Sequence, residues 1–216
     1  MSFLPLYIYF IASSFLASLI IFIKPDHSYP YLRLFPFFLL ATLIAEGIGS
    51  YRSATNQSNL DIYNFFSVFE FFFYLWIISI IVNKKSAKKI LRITSITYVI
   101  IAVINIIYIQ KMKSFHTVTY SFGCLLIVIA CIYYFLELFR LPKSVKLQNN
   151  PSFWLCSGLL FFYCCGFPLY GLVNYWADIS QLVIDNFDKI FTILNIFLYT
   201  LFTIAFLCLI KTRKYT

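Results

Sequence analysis

Seven stretches of nearly continuous apolar residues dominate this chain, each about as long as the 20 residues a helix needs to cross the hydrocarbon layer of a bilayer. They run roughly over 3–23, 31–50, 63–82, 90–109, 117–138, 153–173 and 190–210. Runs such as YVIIAVINIIYI are too long and too continuously apolar for the alternating segments of a transmembrane barrel. The composition closes the remaining escape: 62% of the residues are hydrophobic and 12% charged, against roughly 25% charged in an ordinary soluble domain. No soluble fold of this size hides that much apolar side chain. The expected fold is an all-α, polytopic membrane bundle of seven transmembrane helices, a single integral membrane domain over 1–216. The first segment lacks a basic flank and a small-residue cleavage pattern, and it reads as a retained helix.

Lysine and arginine set the expected orientation. On one side fall Lys24, Arg33, Lys84, Lys85, Lys88, Lys89, Arg92, Arg140, Lys143, Lys146, Lys211, Arg213 and Lys214. The other side holds only Arg52, Lys111, Lys113 and Lys189. This bias predicts an outside N-terminus and a cytoplasmic C-terminus, in the cytoplasmic (inner) membrane of a bacterium. The net charge of +9 needs no nucleic acid to explain it, because the excess lies where anionic lipid would meet it. The partners expected are membrane lipids, with the Lys84–Lys89 and Arg140–Lys146 loops as docking places for a cytoplasmic or membrane signalling partner. In the second span Pro30 stands at the start and Pro36 in the second turn, where missing amide donors are tolerated.

Catalytic and metal chemistry find little to work with. The two histidines, His27 and His116, fall near opposite membrane surfaces. The six cysteines lie within spans and read as small buried hydrophobes. There is no nucleophile elbow, phosphate loop or dinucleotide fingerprint. The chain is expected not to be an enzyme and to bind no metal or cofactor. The connection after the sixth span offers Trp176, Ile179, Leu182 and Val183 as one face of a short interfacial helix. Glu137, three residues before Arg140, reads as an interfacial, structural residue, in a local ion pair or snorkelling to the surface.

Polar residues recur at helical spacing within the spans. Tyr63, Ser67, Glu70 and Tyr74 share a face of the third, and Thr42, Glu46 and Gly49 one of the second. Asp188, Thr192, Asn195, Tyr199 and Thr203 do the same in the seventh. Glu46 and Glu70 lie at comparable depth in the outer half of neighbouring spans, at a rise of about 1.5 Å per residue. A charge at the bilayer centre costs at least about 2.5–3.5 kcal/mol on insertion scales, so each acid needs a partner, a hydrated cavity or its neutral form. With Tyr74, Asn105, Tyr120, Tyr170 and Asn195 they describe an outward-opening polar pocket, a ligand pocket or proton site. Gly166 and Pro168 add a helix irregularity at similar depth. Three functions fit: a receptor- or sensor-like protein with output through a separate partner, a proton-coupled small-solute transporter, and an accessory membrane component.

Overall fold

The structure is a computed structural model and describes residues 5–23, 28–110, 114–140, 147–172 and 181–211. Every long element among them is a helix: α1 (Tyr7–Ser18), α2 (Ile20–Ile23), α3 (Phe35–Ala54), α4 (Leu60–Ile81), α5 (Lys85–Ile104), α6 (Thr117–Phe139), α7 (Pro151–Leu172) and α8 (Gln181–Lys211). Six of these segments are long and apolar enough to cross a membrane. The first, Tyr7–Ile23, is apolar but shorter, about 25 Å at helical rise, with a turn at Leu19 between α1 and α2. The protein is thus an all-α, multi-pass membrane protein with six to seven apolar helices.

The second span, with its two prolines, is well formed. A 3₁₀ turn over Pro30–Leu34 leads into α3, and both Pro30 and Pro36 sit in first-turn positions, where a proline removes no helical hydrogen bond. The first span is the short one instead. The last helix starts well before the expected residue 190, so Leu182 and Val183 belong to α8, while Trp176 and Ile179 lie outside the described residues.

Packing arranges six segments in a closed ring. In order round it stand α1, α3, α4, α6, α7 and α8, with α8 returning to α1. Helix α5 stays outside the ring, packed on α4 and more lightly on α6. It presents a row of isoleucines outward, including Ile93, Ile96 and Ile100, as a lipid-facing helix must. Two glycines permit close approach. A Cβ on Gly123 would lie 2.8 Å from the ring of Phe71, and one on Gly158 would lie 3.2 Å from Leu198 Cδ1. Gly166 has open space around it, and α7 continues through Pro168.

One half of the ring interior is filled by aromatic rings. Phe38 stacks on Phe73 with centroids 4.1 Å apart, and Phe35 meets Phe73, Phe202 and Phe206 edge-on. Phe35, Phe38, Tyr74, Phe202 and Phe206 are all fully buried. Offset and edge-to-face pairs of this kind add about 0.5–1.5 kcal/mol each beyond their buried area.

Glu137 has a different role from the ion pair expected with Arg140. Its carboxylate reaches across to the α4–α5 turn, where Oε2 accepts from the Asn83 backbone N–H at 2.6 Å and Oε1 from that of Lys84 at 2.8 Å. These amides open α5, whose first turn has no helical acceptors for them, and a carboxylate suits the positive end of the helix dipole. Glu137→Ala should therefore lower stability by about 1 kcal/mol, with Glu137→Gln recovering part of it. Equal melting of wild type and the alanine variant in detergent would contradict this.

Candidate functional site

The other half of the ring is open. A cavity of about 630 Å³ lies there, lined by one end of every ring helix. Tyr7 comes from the start of α1, Thr42 and Glu46 from the middle of α3, and Tyr63, Ser67 and Glu70 from the first half of α4. Thr117 and Tyr120 begin α6, Phe162 and Tyr170 lie along α7, and Asp188, Thr192, Asn195 and Tyr199 come from α8. Polar residues of six helices thus converge on one space. No described residue of α5 joins them, because α5 is outside the ring.

Of the residues expected in the pocket, Glu46, Glu70, Tyr120, Tyr170 and Asn195 line this cavity, and Tyr74 and Asn105 do not. Tyr74 is fully buried beneath it, against Phe38 and Phe202. Asn105 lies at the junction where α5 passes into a π-helical turn, and its Nδ2 donates to Gln110 Oε1 at 2.6 Å and Thr119 Oγ1 at 3.1 Å. Shared depth put Asn105 in the pocket on sequence grounds. Depth alone does not say whether a helix is inside or outside a ring.

Glu46 is tethered. Its Oε2 accepts hydrogen bonds from the Tyr7 hydroxyl at 2.7 Å and the Tyr63 hydroxyl at 3.2 Å, which ties α1 and α4 to α3. Tyr63 fits only because residue 49 is glycine: a Cβ there would lie 2.4 Å from the Tyr63 oxygen. Gly49→Ala should displace the tyrosine tip and break its bond to Glu46 while leaving the fold intact, since the end of an exposed-side ring can swing away. Gly47, with nothing within 4 Å, supplies the control. A changed Tyr63 environment in Gly49→Ala and not in Gly47→Ala, read by tyrosine-selective labelling or NMR, is the expected result; identical behaviour of the two would refute it.

Among the described residues Glu70 has no cation beside it. The hydroxyls of Tyr74 and Tyr163 stand near its carboxyl, yet both are fully buried and neither makes a hydrogen bond of ordinary geometry. Among the described residues lining the cavity there is no lysine, arginine or histidine. At the mouth, Arg52 and Asp61 pair at 2.6 Å between α3 and α4, and Lys189 Nζ donates to Asn186 Oδ1.

A histidine without an expected role, His116, sits against the cavity wall through Ser67. His116, just before α6, is buried, with Nε2 2.6 Å from Ser67 Oγ and Nδ1 2.7 Å from Thr119 Oγ1. Ser67 also donates to the Tyr63 carbonyl at 2.6 Å, so it must accept from the imidazole. Proton directions therefore run from Asn105 to Thr119 to His116 Nδ1, and from Nε2–H to Ser67, which assigns the Nε2–H tautomer. Asn64 completes the join, accepting the His116 backbone N–H and donating to the Ser114 carbonyl. Burial pushes the imidazole pKa down to about 4.

Among the described residues no group of three or more His, Cys, Asp and Glu is placed to hold a metal ion. Of the cysteines, Cys124, Cys131, Cys156 and Cys208 are buried, while Cys164 is exposed and Cys165 half-buried, because they occupy adjacent faces of α7. On the far side of the molecule Lys85, Lys88, Lys89 and Arg92 line a groove of about 350 Å³ with Ile93 and Ile96. Arg92 stands over the Trp76 ring at 5.6 Å. Lys143 and Lys146 lie outside the described residues.

Comparison with protein-family models, with curated proteins and with solved structures finds no match to this chain. Fold and site together define the class: a helical multi-pass membrane protein embedded in lipid, with a polar cavity in one half of its bundle.

Proposed function

We propose that the protein is a seven-helix receptor or sensor whose N-terminus and cavity face the outside of a bacterial inner membrane and whose output passes through a separate partner. It binds a small ligand and carries out no catalysis itself. The observation that carries this reading is the asymmetry of the ring interior. A cavity of about 630 Å³ is within the size range of small-molecule sites, and tightly packed aromatic rings occupy the other half. A receptor needs access from one side only, whereas a carrier must open to both in turn. The count of basic residues supports the orientation. It also supports the Lys84–Lys89 and Arg140–Lys146 loops as the partner's docking places.

The transporter reading has one observation in its favour, Glu70 at the cavity wall with no cation near it among the described residues, since exchangeable intramembrane acids are common in proton-coupled carriers. A cysteine at Thr192, in a background with Cys164 and Cys165 replaced by alanine, separates the two. A membrane-impermeant maleimide applied to cells should label it from outside and, in inverted vesicles, leave it untouched. Labelling from both sides would favour the carrier, and labelling only from the cytoplasmic side would overturn the proposed orientation.

A further inference from the structure

Half of the described residues lining the cavity are aromatic, and the charged groups among them are all acids: Glu46, Glu70 and, at the mouth, Asp188. We propose that the cavity takes an amphipathic organic cation, its ammonium head between Glu46 and Glu70 and its apolar body along the rings of Tyr120, Tyr170 and Phe191. This inference rests on the reading of the cavity as a ligand site and specifies the ligand's chemistry.

The charge argument comes first. Glu46 has one oxygen engaged by two phenols, and among the described residues Glu70 has no basic neighbour in the cavity. A bound anion would meet two carboxyl groups with nothing to offset them. A neutral ligand would leave both acids without a counterion in a poorly solvated space. A cation supplies the missing charge where the dielectric makes it count.

The rings sharpen the choice between kinds of cation. Tyr120 and Tyr170 lie 4.1 Å apart between centroids, and Tyr170 meets Phe191 at 4.8 Å. Phe115 closes the same cluster. Aromatic faces attract ammonium groups, by about 2 kcal/mol or more where water is excluded. A hard metal ion would instead want six or more oxygen ligands around one point, and the described residues gather no such set. The walls suit carbon as well as charge.

Three probes of matched length test this: 4-phenylbutylamine, 4-phenylbutanol and 4-phenylbutyrate, each titrated calorimetrically into the full chain in lipid nanodiscs at pH 7. The amine should bind at least about tenfold more tightly than the alcohol, the energy of one desolvated ammonium contact, and the carboxylate should not bind. Glu70→Gln should abolish the preference for the amine, bringing its affinity to that of the alcohol; Glu46→Gln is the second variant should that one fail to fold. Thr192→Trp, which fills the cavity, should remove binding of both and so distinguishes the site from partition into lipid. Alcohol or carboxylate binding as tightly as the amine, lost in Thr192→Trp, would overturn the cation inference and leave the ligand-site reading standing. No cavity-dependent binding of any probe would overturn both.

Discussion

Replacing Asn64 with leucine should cost about 2–3 kcal/mol of stability, a large loss for a single side chain at a helix start. Asn64 is fully buried and occupied at both ends. Its Oδ1 accepts the His116 backbone N–H at 3.2 Å, and its Nδ2 donates to the Ser114 carbonyl at 3.1 Å. Leucine fills similar volume and offers neither bond. The Ser114 carbonyl belongs to an exposed residue and can turn to water, but the His116 amide is enclosed, and an orphaned buried donor costs about 1–3 kcal/mol. The α6 start also loses its link to α4, so His116 and its bond to Ser67 lose their anchor. Gln57→Ala, in the exposed α3–α4 turn, should stay within about 0.5 kcal/mol of wild type. Unfolding titrations of both variants in mixed micelles would check the contrast, and a leucine variant as stable as the alanine one would refute it.

The apolar segments were legible because a run of that length has one physical explanation. Their ends were less so. Helix α8 begins at Gln181 and α5 at Lys85, earlier than hydropathy suggests, because hydropathy marks where the hydrocarbon starts, while helical hydrogen bonding continues into the polar interface. Glu46 and Glu70 met in one cavity because depth and chain neighbourhood both follow from counting residues. Asn105 had the right depth and the wrong helix. Ring closure by α1 and α8, which leaves α5 outside, is a long-range contact that no local pattern carries. The Asn64–His116–Ser67–Thr119 network had a weak signal: Asn64 and Ser67 are one turn apart near the start of α4, and His116 and Thr119 one turn apart at the start of α6. Matched polar pairs at equal depth are visible in the sequence. What joins them is the packing of α4 on α6.

Acid should destabilise the protein through His116, and the sign follows from the chain of hydrogen bonds around it. The imidazole donates from Nε2 to Ser67 and accepts at Nδ1 from Thr119. Protonation would turn Nδ1 into a donor facing a hydroxyl that must reverse, and Thr119 already accepts from Asn105. It would also bury a charge: the groups packed on the ring are Phe115 and Tyr120, and none of the hydrogen bonds to it comes from a carboxylate. Burial accordingly holds the folded-state pKa at about 4, against 6.5 for a free imidazole. With the folded value depressed, the unfolded chain binds the proton first as pH falls. Stability from this group is complete above about pH 6.5, declines through the interval and is lost below about pH 4. The full change amounts to a few kcal/mol, on the order of 3, at 1.36 kcal/mol per unit. His116→Gln cannot titrate there and should start less stable at neutral pH, where the wild type keeps its bonds. Its own pH dependence should be flatter by that amount between pH 7 and 4, whatever the carboxyl groups shared by both proteins contribute. Parallel melting curves for the two proteins across this range would mean that the imidazole is free to ionise where it lies, and that the network around it is looser than its hydrogen bonds require.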